Sequence, residues 1–299
     1  MLVNAAGPWV GDVIGRLGGS HADRGVRLVK GSHIVVPKLY EGDHAFMLQN
    51  DDRRIVFAIP YEGAFTLVGT TDEPWTDPPG KAAIGAAETR YLLDTIGRYF
   101  ERRVGEADIV WSYAGIRPLY DDNSANASAV TRDYVLDVDT AGGAGAPVLN
   151  IFGGKITTYR KLAEHAMKEL ARFFPAAGGA WTAGAALPGG DIADADFDGF
   201  LATLQAERPA LPPALLYRLA RAYGTRVRTL LGPAQTLADL GEDLGGGLTT
   251  AEVDSLVAAE WARTAEDILY RRSKLGLHVP AGTRERLERY LAGRAALAA

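Results

Sequence analysis

The sequence predicts a mixed α/β (α+β) chain in which a sheet-rich first half is followed by an all-helical second half. Three observations carry this. Short runs rich in branched residues, bounded by Gly, Pro and Asp, fill residues 26–71. An apolar strand, Val148-Leu149-Asn150-Ile151-Phe152, runs through Gly153-Gly154 into an amphipathic helix with Leu162, Ala166, Leu170 and Phe173 or Phe174 about one turn apart. Beyond Lys155 no stretch alternates as a strand should.

The opening residues Leu2-Val3-Asn4-Ala5-Ala6-Gly7-Pro8-Trp9-Val10 read as the last residues of a buried strand, a turn of small residues, and a helix with Pro8 in its first turn. A domain does not ordinarily open on the end of a strand, and an uncovered apolar surface is expected over residues 2–13. Extended segments follow at 26–29, 32–36, 46–49, 55–59 and 65–69, joined by hairpin-like connections. Residues 86–101 form one amphipathic helix whose apolar side carries Tyr91, Leu92, Thr95, Ile96 and Tyr99. Further extended segments are expected at 109–113, 128–137 and 148–152, separated by a surface loop at 121–127 and a Gly-rich tip or insertion at 141–146. Helices are expected at 157–174, 197–207, 213–223, 225–231, 250–263 and 283–298, with the change of texture between 175 and 190.

Composition narrows the partners. At 299 residues the chain has room for two domains and a substantial core. Its net charge of −5 argues against a general nucleic-acid binder, which needs a basic surface to neutralise phosphates. The absence of cysteine removes disulfides, thiolate metal sites and a cysteine nucleophile together, while leaving the redox compartment open. No apolar run reaches the roughly 18 residues a membrane-spanning helix needs, and no signal-peptide pattern opens the chain.

The most informative stretch is Gly153-Gly154-Lys155-Ile156-Thr157-Thr158-Tyr159-Arg160-Lys161. A strand delivered through two glycines into a helix leaves bare backbone N–H groups, the positive end of a helix dipole and a lysine at one place, which suits an anion. By itself such a junction also serves as a plain tight turn. Arg117 follows Gly115, which permits close approach of a ligand, and precedes Pro118; taken singly it reads as a surface arginine. Arg132 adjoins Asp133, with which an ion pair is the simple reading. His33 lies in a strand, where a hydrogen-bonded core histidine is the simple reading. His21, His44, His165 and His278 have no metal-ligand spacing, and the acidic pairs Asp51-Asp52, Asp121-Asp122 and Glu242-Asp243 read as solvated loops. There is no Gly-x-Ser-x-Gly elbow, His-Glu-x-x-His or Walker loop.

Taken together, the motifs resemble those of the FAD-dependent, quinone-linked glycerol-3-phosphate dehydrogenases. The likeness rests on Val3-Asn4-Ala5-Ala6-Gly7-Pro8-Trp9, Lys30-Gly31-Ser32-His33-Ile34-Val35-Val36-Pro37, Gly69-Thr70-Thr71-Asp72, Tyr113-Ala114-Gly115-Ile116-Arg117-Pro118-Leu119, Thr131-Arg132-Asp133-Tyr134 and the 153–161 junction. It continues through Leu187-Pro188-Gly189-Gly190, Tyr223-Gly224, Asp239-Leu240-Gly241 and Glu260-Trp261. One departure stands out: the family's opening strand with its Gly-x-Gly-x-x-Gly turn and following acid is not in this sequence. The resemblance therefore implies a flavoenzyme of FAD/NAD(P)-binding type lacking its N-terminal segment. Residues 1–25 would be the last strand and helix of the FAD-binding domain, 26–147 a substrate domain with a mixed or antiparallel sheet, 148–174 the strand and helix returning to the FAD domain, and 175–299 a helical domain.

The resemblance also implies roles. Arg117 and Arg132 would hold a substrate phosphate, to which planar guanidinium groups are matched. His33 would be the base or orient the reacting hydroxyl, and Lys155 would serve flavin or substrate. Asn4, Ala5, Ala6, Gly7 and Trp9 on one side, and Gly154, Lys155, Ile156, Thr157 and Thr158 on the other, would line FAD. The implied partners are sn-glycerol 3-phosphate and a quinone, with no nucleic acid, and with peripheral contact on the cytoplasmic face of a membrane and a homodimer as further expectations. An FAD-deficient fragment is expected on the same grounds. Two other readings stay open: a related FAD-dependent oxidase with another substrate, and a non-catalytic module that binds a phosphoester or a partner.

Overall fold

The computed structural model describes residues 1–17, 25–121, 133–140 and 145–298, the last four by their backbone alone. The chain divides into two compact units, Met1–Ala183 and Gly184–Ala299.

In the first unit the strands and helices are β1 (Leu2–Asn4), α1 (Val10–Leu17), β2 (Val26–Pro37), β3 (Phe46–Gln49), β4 (Ile55–Tyr61), β5 (Phe65–Gly69), β6 (Glu73–Pro74), α2 (Ala86–Tyr99), β7 (Trp111–Tyr120), β8 (Tyr134–Asp139), β9 (Val148–Gly153) and α3 (Tyr159–Leu170). They build two sheets. The larger runs β3-β4-β5-β2-β6, with β7 on the other side of β2; the smaller runs β1-β9-β8. All pairings in the larger sheet are antiparallel, whereas β1 and β9 run parallel with Asn4 opposite Asn150.

Alternation along the strands decides what each face does. Ile34, Val36, Val56, Ala58 and Val68 point one way and pack against Leu92 and Ile96 of α2, forming the core of the larger sheet. On the smaller sheet Phe152 packs with Val10 and Ile14 of α1, while Leu149 meets Ala166 and Leu170 of α3. Leu2, Val3 and Trp9 remain exposed along the outer strand β1 and the turn that follows it.

Two expected strands at 26–29 and 32–36 are one continuous strand. Gly31 does not break β2 because it lies flat in the ladder opposite Gly115. Likewise the segment expected to end at Tyr113 continues to Tyr120 through Pro118, which is tolerated because β7 pairs with β2 on one side only among the described pairings. The two-residue strand β6 is too short for any periodicity to announce it. Of the expected segment 128–137, residues 128–132 lie outside the described ones.

A buried carboxylate ties α2 to the sheet. Glu88, 4% exposed, stands in the first turn of α2 and accepts the Gly85 amide at 2.8 Å on Oε2, where Lys30 Nζ also lies at 2.8 Å. Its Oε1 accepts the hydroxyls of Ser32 and Thr71, each at 2.7 Å. Burial alone would raise this carboxyl's pKa, but the bonds from Lys30, Thr71, Gly85 and Ser32 outweigh it and hold the pKa below the ordinary value.

The second unit holds α4 (Phe197–Glu207), α5 (Pro213–Tyr223), α6 (Val227–Leu231), α7 (Thr250–Ala259) and α8 (Thr283–Ala298). Helix α7 is shorter than the expected 250–263 because Trp261 takes a positive φ of 55°. A π-helical turn, Asp267–Arg272, has no counterpart in the expected helices. Two leucine-rich clusters, one around Leu216, Leu219 and Leu240 and one around Leu248, Leu256 and Ile268, form the core. Beside them Glu252, fully buried, accepts Arg218 Nη1 and Nη2 at 2.8 and 2.7 Å and the Tyr223 hydroxyl at 2.7 Å.

Replacing Glu252 with Ala strands a buried guanidinium and phenol, so urea denaturation is expected to report a loss of roughly 3–5 kcal/mol. Glu88 makes a pH-dependent contribution. Its folded pKa lies below the unfolded value of 4.5, so the stabilisation is present above that pH and is lost as pH falls through the folded pKa. Between pH 6 and 3 the Glu88→Gln variant is expected to start less stable and lose less than wild type; parallel acid limbs in the two proteins would refute this.

Candidate active site

Two clusters in the first unit match the sequence-derived candidates. The first sits at the carboxyl ends of the parallel pair β1 and β9, the edge at which open α/β sheets place their ligands. Asn4 is buried, and its Nδ2 donates to Val10 O at 3.0 Å and Asn150 Oδ1 at 2.9 Å. Those bonds fix the exit of β1 against β9 and the first turn of α1. The Asn4 amide nitrogen is thus spent inside the protein, while its Oδ1 is buried without a hydrogen-bond partner, and what this segment offers outward is the backbone of Ala5, Ala6 and Gly7. Gly7 has φ 57° and open space where a Cβ would stand. Pro8 and Trp9 follow in a 3-10 turn, Gly7–Trp9, with Trp9 47% exposed.

From β9 the chain leaves through Gly153 and Gly154, both at positive φ (70° and 94°). A Cβ on Gly153 would stand 2.8 Å from Asp133 O, so only glycine lets this turn pass so close to the residue that leads into β8, while Pro118 O of β7 would lie in ordinary contact at 3.7 Å. A 3-10 turn, Ile156–Thr158, then leads into α3. Thr158 Oγ1 donates to Lys155 O at 3.0 Å and accepts Lys155 N at 3.4 Å, which commits that hydroxyl to the turn. Gly154, Lys155, Ile156 and Thr157 are exposed. The amides of Ile156 and Thr157 belong to a first turn, which has no preceding turn to accept them.

The second cluster lies on the face of the larger sheet opposite α2. The register puts His33 across from Gly69 on β5 and Tyr113 on β7, Gly31 across from Gly115, and Val29 across from Arg117. Gly31, Gly69 and Gly115 therefore floor one face. His33 stacks on Tyr113 with ring centroids 4.8 Å apart and planes 10° apart. A Cβ on Gly69 would overlap the His33 ring and a Cβ on Gly31 would overlap the Arg117 guanidinium, so each glycine makes room for one functional side chain.

Arg117 is held in place. Its Nη1 pairs with Asp72, and its Nη2 donates to Thr70 Oγ1 at 2.7 Å. His33 Nδ1 is buried with no hydrogen-bond partner. Burial first, and the Arg117 charge second, push its pKa down to about 4, so the imidazole is neutral across the physiological range. A neutral imidazole is the form that accepts a proton, although so low a pKa makes it a weak base; orienting a hydroxyl, the other expected role, needs no proton uptake. The two clusters adjoin through Pro118, whose carbonyl faces Gly153 and whose chain neighbour is Arg117.

Of the other expected residues, Arg132 lies outside the described ones, as does His21. The sequence reading assigned no role to Thr70, Asp72 or Tyr113, although all three stand in the motif blocks, and it passed over Glu88. A Glu three residues after Gly85 at a helix start is a readable capping signal, but its burial is not readable. No cluster of metal-ligating side chains occurs among the described residues.

A histidine whose folded pKa is lowered destabilises the fold as pH drops from 6.5 towards about 4, because the unfolded chain takes up the proton first. The His33 ring is expected to titrate near 4 by NMR. In Arg117→Met the midpoint should rise while staying below 6.5, since burial persists; a wild-type midpoint at 6.5 would contradict the geometry.

Comparison with known proteins places these clusters in a family. The FAD dependent oxidoreductase family matches residues 2–160, and the C-terminal domain of alpha-glycerophosphate oxidase matches residues 180–293. A glycerol-3-phosphate dehydrogenase of Pseudomonas aeruginosa is 52% identical over 97% of this chain and 56% of its own length. A D-erythritol 1-phosphate dehydrogenase of Brucella abortus is 49% identical over 95% of this chain and 56% of its own. Among solved structures, the FAD complex of the glycerol-3-phosphate dehydrogenase from Bacillus halodurans superimposes with a TM-score of 0.80 at 26% identity, covering 98% of this chain and 57% of that one. The chain thus spans about half the length of the relatives it matches. It belongs to the FAD-dependent oxidoreductases.

Proposed function

We propose that this chain carries the substrate-phosphate site and the flavin-edge turn of an enzyme that oxidises sn-glycerol 3-phosphate to dihydroxyacetone phosphate. The observation that carries the reading is the glycine-floored face, where a pinned guanidinium, Arg117, and a neutral imidazole, His33, stand on one open surface. The relatives' names support the same substrate class, a polyol carrying one phosphate.

The residues at the ends of β1 and β9 fit FAD. Ala5, Ala6 and Gly7 are small enough for close approach, and the exposed residues Gly154 to Thr157 present amides and Lys155, with Thr158 bonded inside the turn. Bound FAD would supply the hydride acceptor for C2, and the proton of the C2 hydroxyl would leave to solvent as the carbonyl forms. Arg117 holds the phosphate by charge-assisted hydrogen bonds, with Arg132 assigned to the same anion. His33 orients the C2 hydroxyl through its unstacked edge, and as a neutral group it adds no charge to compete for the phosphate. Lys155 and the turn amides would hold the flavin and would supply it with positive potential when it is reduced.

Transfer of the electrons to a quinone, peripheral contact with the cytoplasmic face of a membrane, and a homodimer belong to the same reading and rest on the motif resemblance. No helix among the described residues is long and apolar enough to cross a membrane.

The test is the purified chain mixed with FAD. Weak retention of flavin absorbance, in line with the FAD-deficient fragment expected from the motifs, and dye reduction at saturating FAD that depends on sn-glycerol 3-phosphate, are expected. A protein that takes up no flavin but binds the phosphate ester would instead favour a non-catalytic phosphoester module. Where turnover is measured, Arg117→Ala should raise KM by about 30-fold, the equivalent of roughly 2 kcal/mol for a charged hydrogen bond, with a smaller change in kcat. An unchanged KM would remove the phosphate role.

A further inference from the structure

We propose that Glu88, on the covered face of the larger sheet, is a positioning residue for Arg117 on the open face. The proposal rests on the phosphate-binding reading of Arg117. Glu88 does not touch Arg117; the link runs through the backbone of residues 70–72.

Thr71 is fully buried, and its Oγ1 donates to Glu88 Oε1 at 2.7 Å while accepting the Ser32 amide at 2.9 Å. Ser32 Oγ donates to the same Glu88 oxygen, and Thr71 N donates back to Ser32 O at 3.4 Å. Thr71 is thereby pinned to β2 from its side chain and its backbone, with Glu88 as the shared acceptor. Its two chain neighbours are the residues that grip the guanidinium: Thr70 Oγ1 accepts Arg117 Nη2, and Asp72 pairs with Nη1. The third contact, Arg117 Nη2 to Thr71 O at 3.5 Å, falls on the pinned residue itself. Gly31, directly before Ser32, supplies the bare floor beneath the guanidinium.

A simple helix anchor would not need this arrangement. Leu92 and Ile96 already bury the apolar face of α2 against the sheet. Three of the four donors to Glu88 instead come from β2 and the 70–72 segment, the platform on which Arg117 rests. A long arginine side chain has many rotamers, and a platform fixed on both faces selects one before a phosphate arrives. The carboxylate therefore acts on ligand affinity through preorganisation.

The experiment uses the whole chain, with sn-glycerol 3-phosphate as the titrated probe and ¹⁵N NMR of arginine Nε–H groups as a readout independent of turnover. The Arg117 signal is assigned by its loss in Arg117→Lys. In Glu88→Gln and Thr71→Val that signal should shift and collapse towards the envelope of mobile arginines, whereas Thr71→Ser, which keeps the hydroxyl, should retain it. The Kd should rise roughly tenfold in Glu88→Gln, as expected for losing a preorganised charged contact. In an Arg117→Ala background the same substitution should leave Kd unmoved while still lowering the unfolding midpoint. A Glu88→Gln protein that is less stable yet keeps the Arg117 signal and the wild-type Kd reduces Glu88 to a helix anchor and overturns the proposal. If instead Arg117→Ala itself leaves Kd unchanged, the phosphate reading fails, and this proposal fails with it.

Discussion

Strand β2 is the constraint on which the rest of the first unit depends, because one run of backbone has to serve two different surfaces. Along it Ser32, Ile34 and Val36 face α2, and Gly31 and His33 face the open side. The pleat makes these demands inseparable: a slip of one residue would put Ile34 on the open face and His33 into the core. Pairing with β5 on one side and β7 on the other holds the register, and β7 in turn brings Tyr113, Gly115 and Arg117 to the same face. The site is therefore a consequence of strand register before it is a consequence of any single residue.

Two buried glutamates do comparable work in the two units. Glu88 gathers Lys30, Ser32, Thr71 and the Gly85 amide; Glu252 gathers Arg218 and Tyr223. A carboxylate removed from water is costly unless its lone pairs are met, and in both places they are met by several donors. Such nodes restrict which arrangements of the surrounding elements are allowed, since any shift leaves charge unpaired. In the first unit the restricted arrangement includes the segment that holds Arg117.

The electrostatics of the open face follow from burial and charge together. Arg117 is paired with Asp72, while His33, packed on Tyr113 with a buried and unbonded Nδ1, stays neutral. A guanidinium held by a carboxylate, beside a neutral ring, leaves its remaining N–H groups as directed donors for an anionic ligand. The adjoining turn at Gly153 and Gly154 adds backbone donors and the exposed Lys155.

The sequence alone determined the order of elements, the change from sheet to helix, the strand–Gly–Gly–helix junction and the residues Arg117 and His33 as candidates, because alternation, glycine punctuation and residue chemistry are local properties. It could not reveal that 26–37 is a single strand, since the flatness of Gly31 depends on its partner Gly115. Nor could it separate Asn4, whose side chain turns inward to Asn150, from the neighbours that face outward. Glu88 stayed hidden for the same reason: its environment is assembled from β2, residue 71 and the start of α2, and it reaches back to Lys30 and Ser32, the latter 56 positions away along the chain. Burial, pairing and the neutral state of His33 come from contacts between segments distant in sequence, and only the tertiary structure decides those.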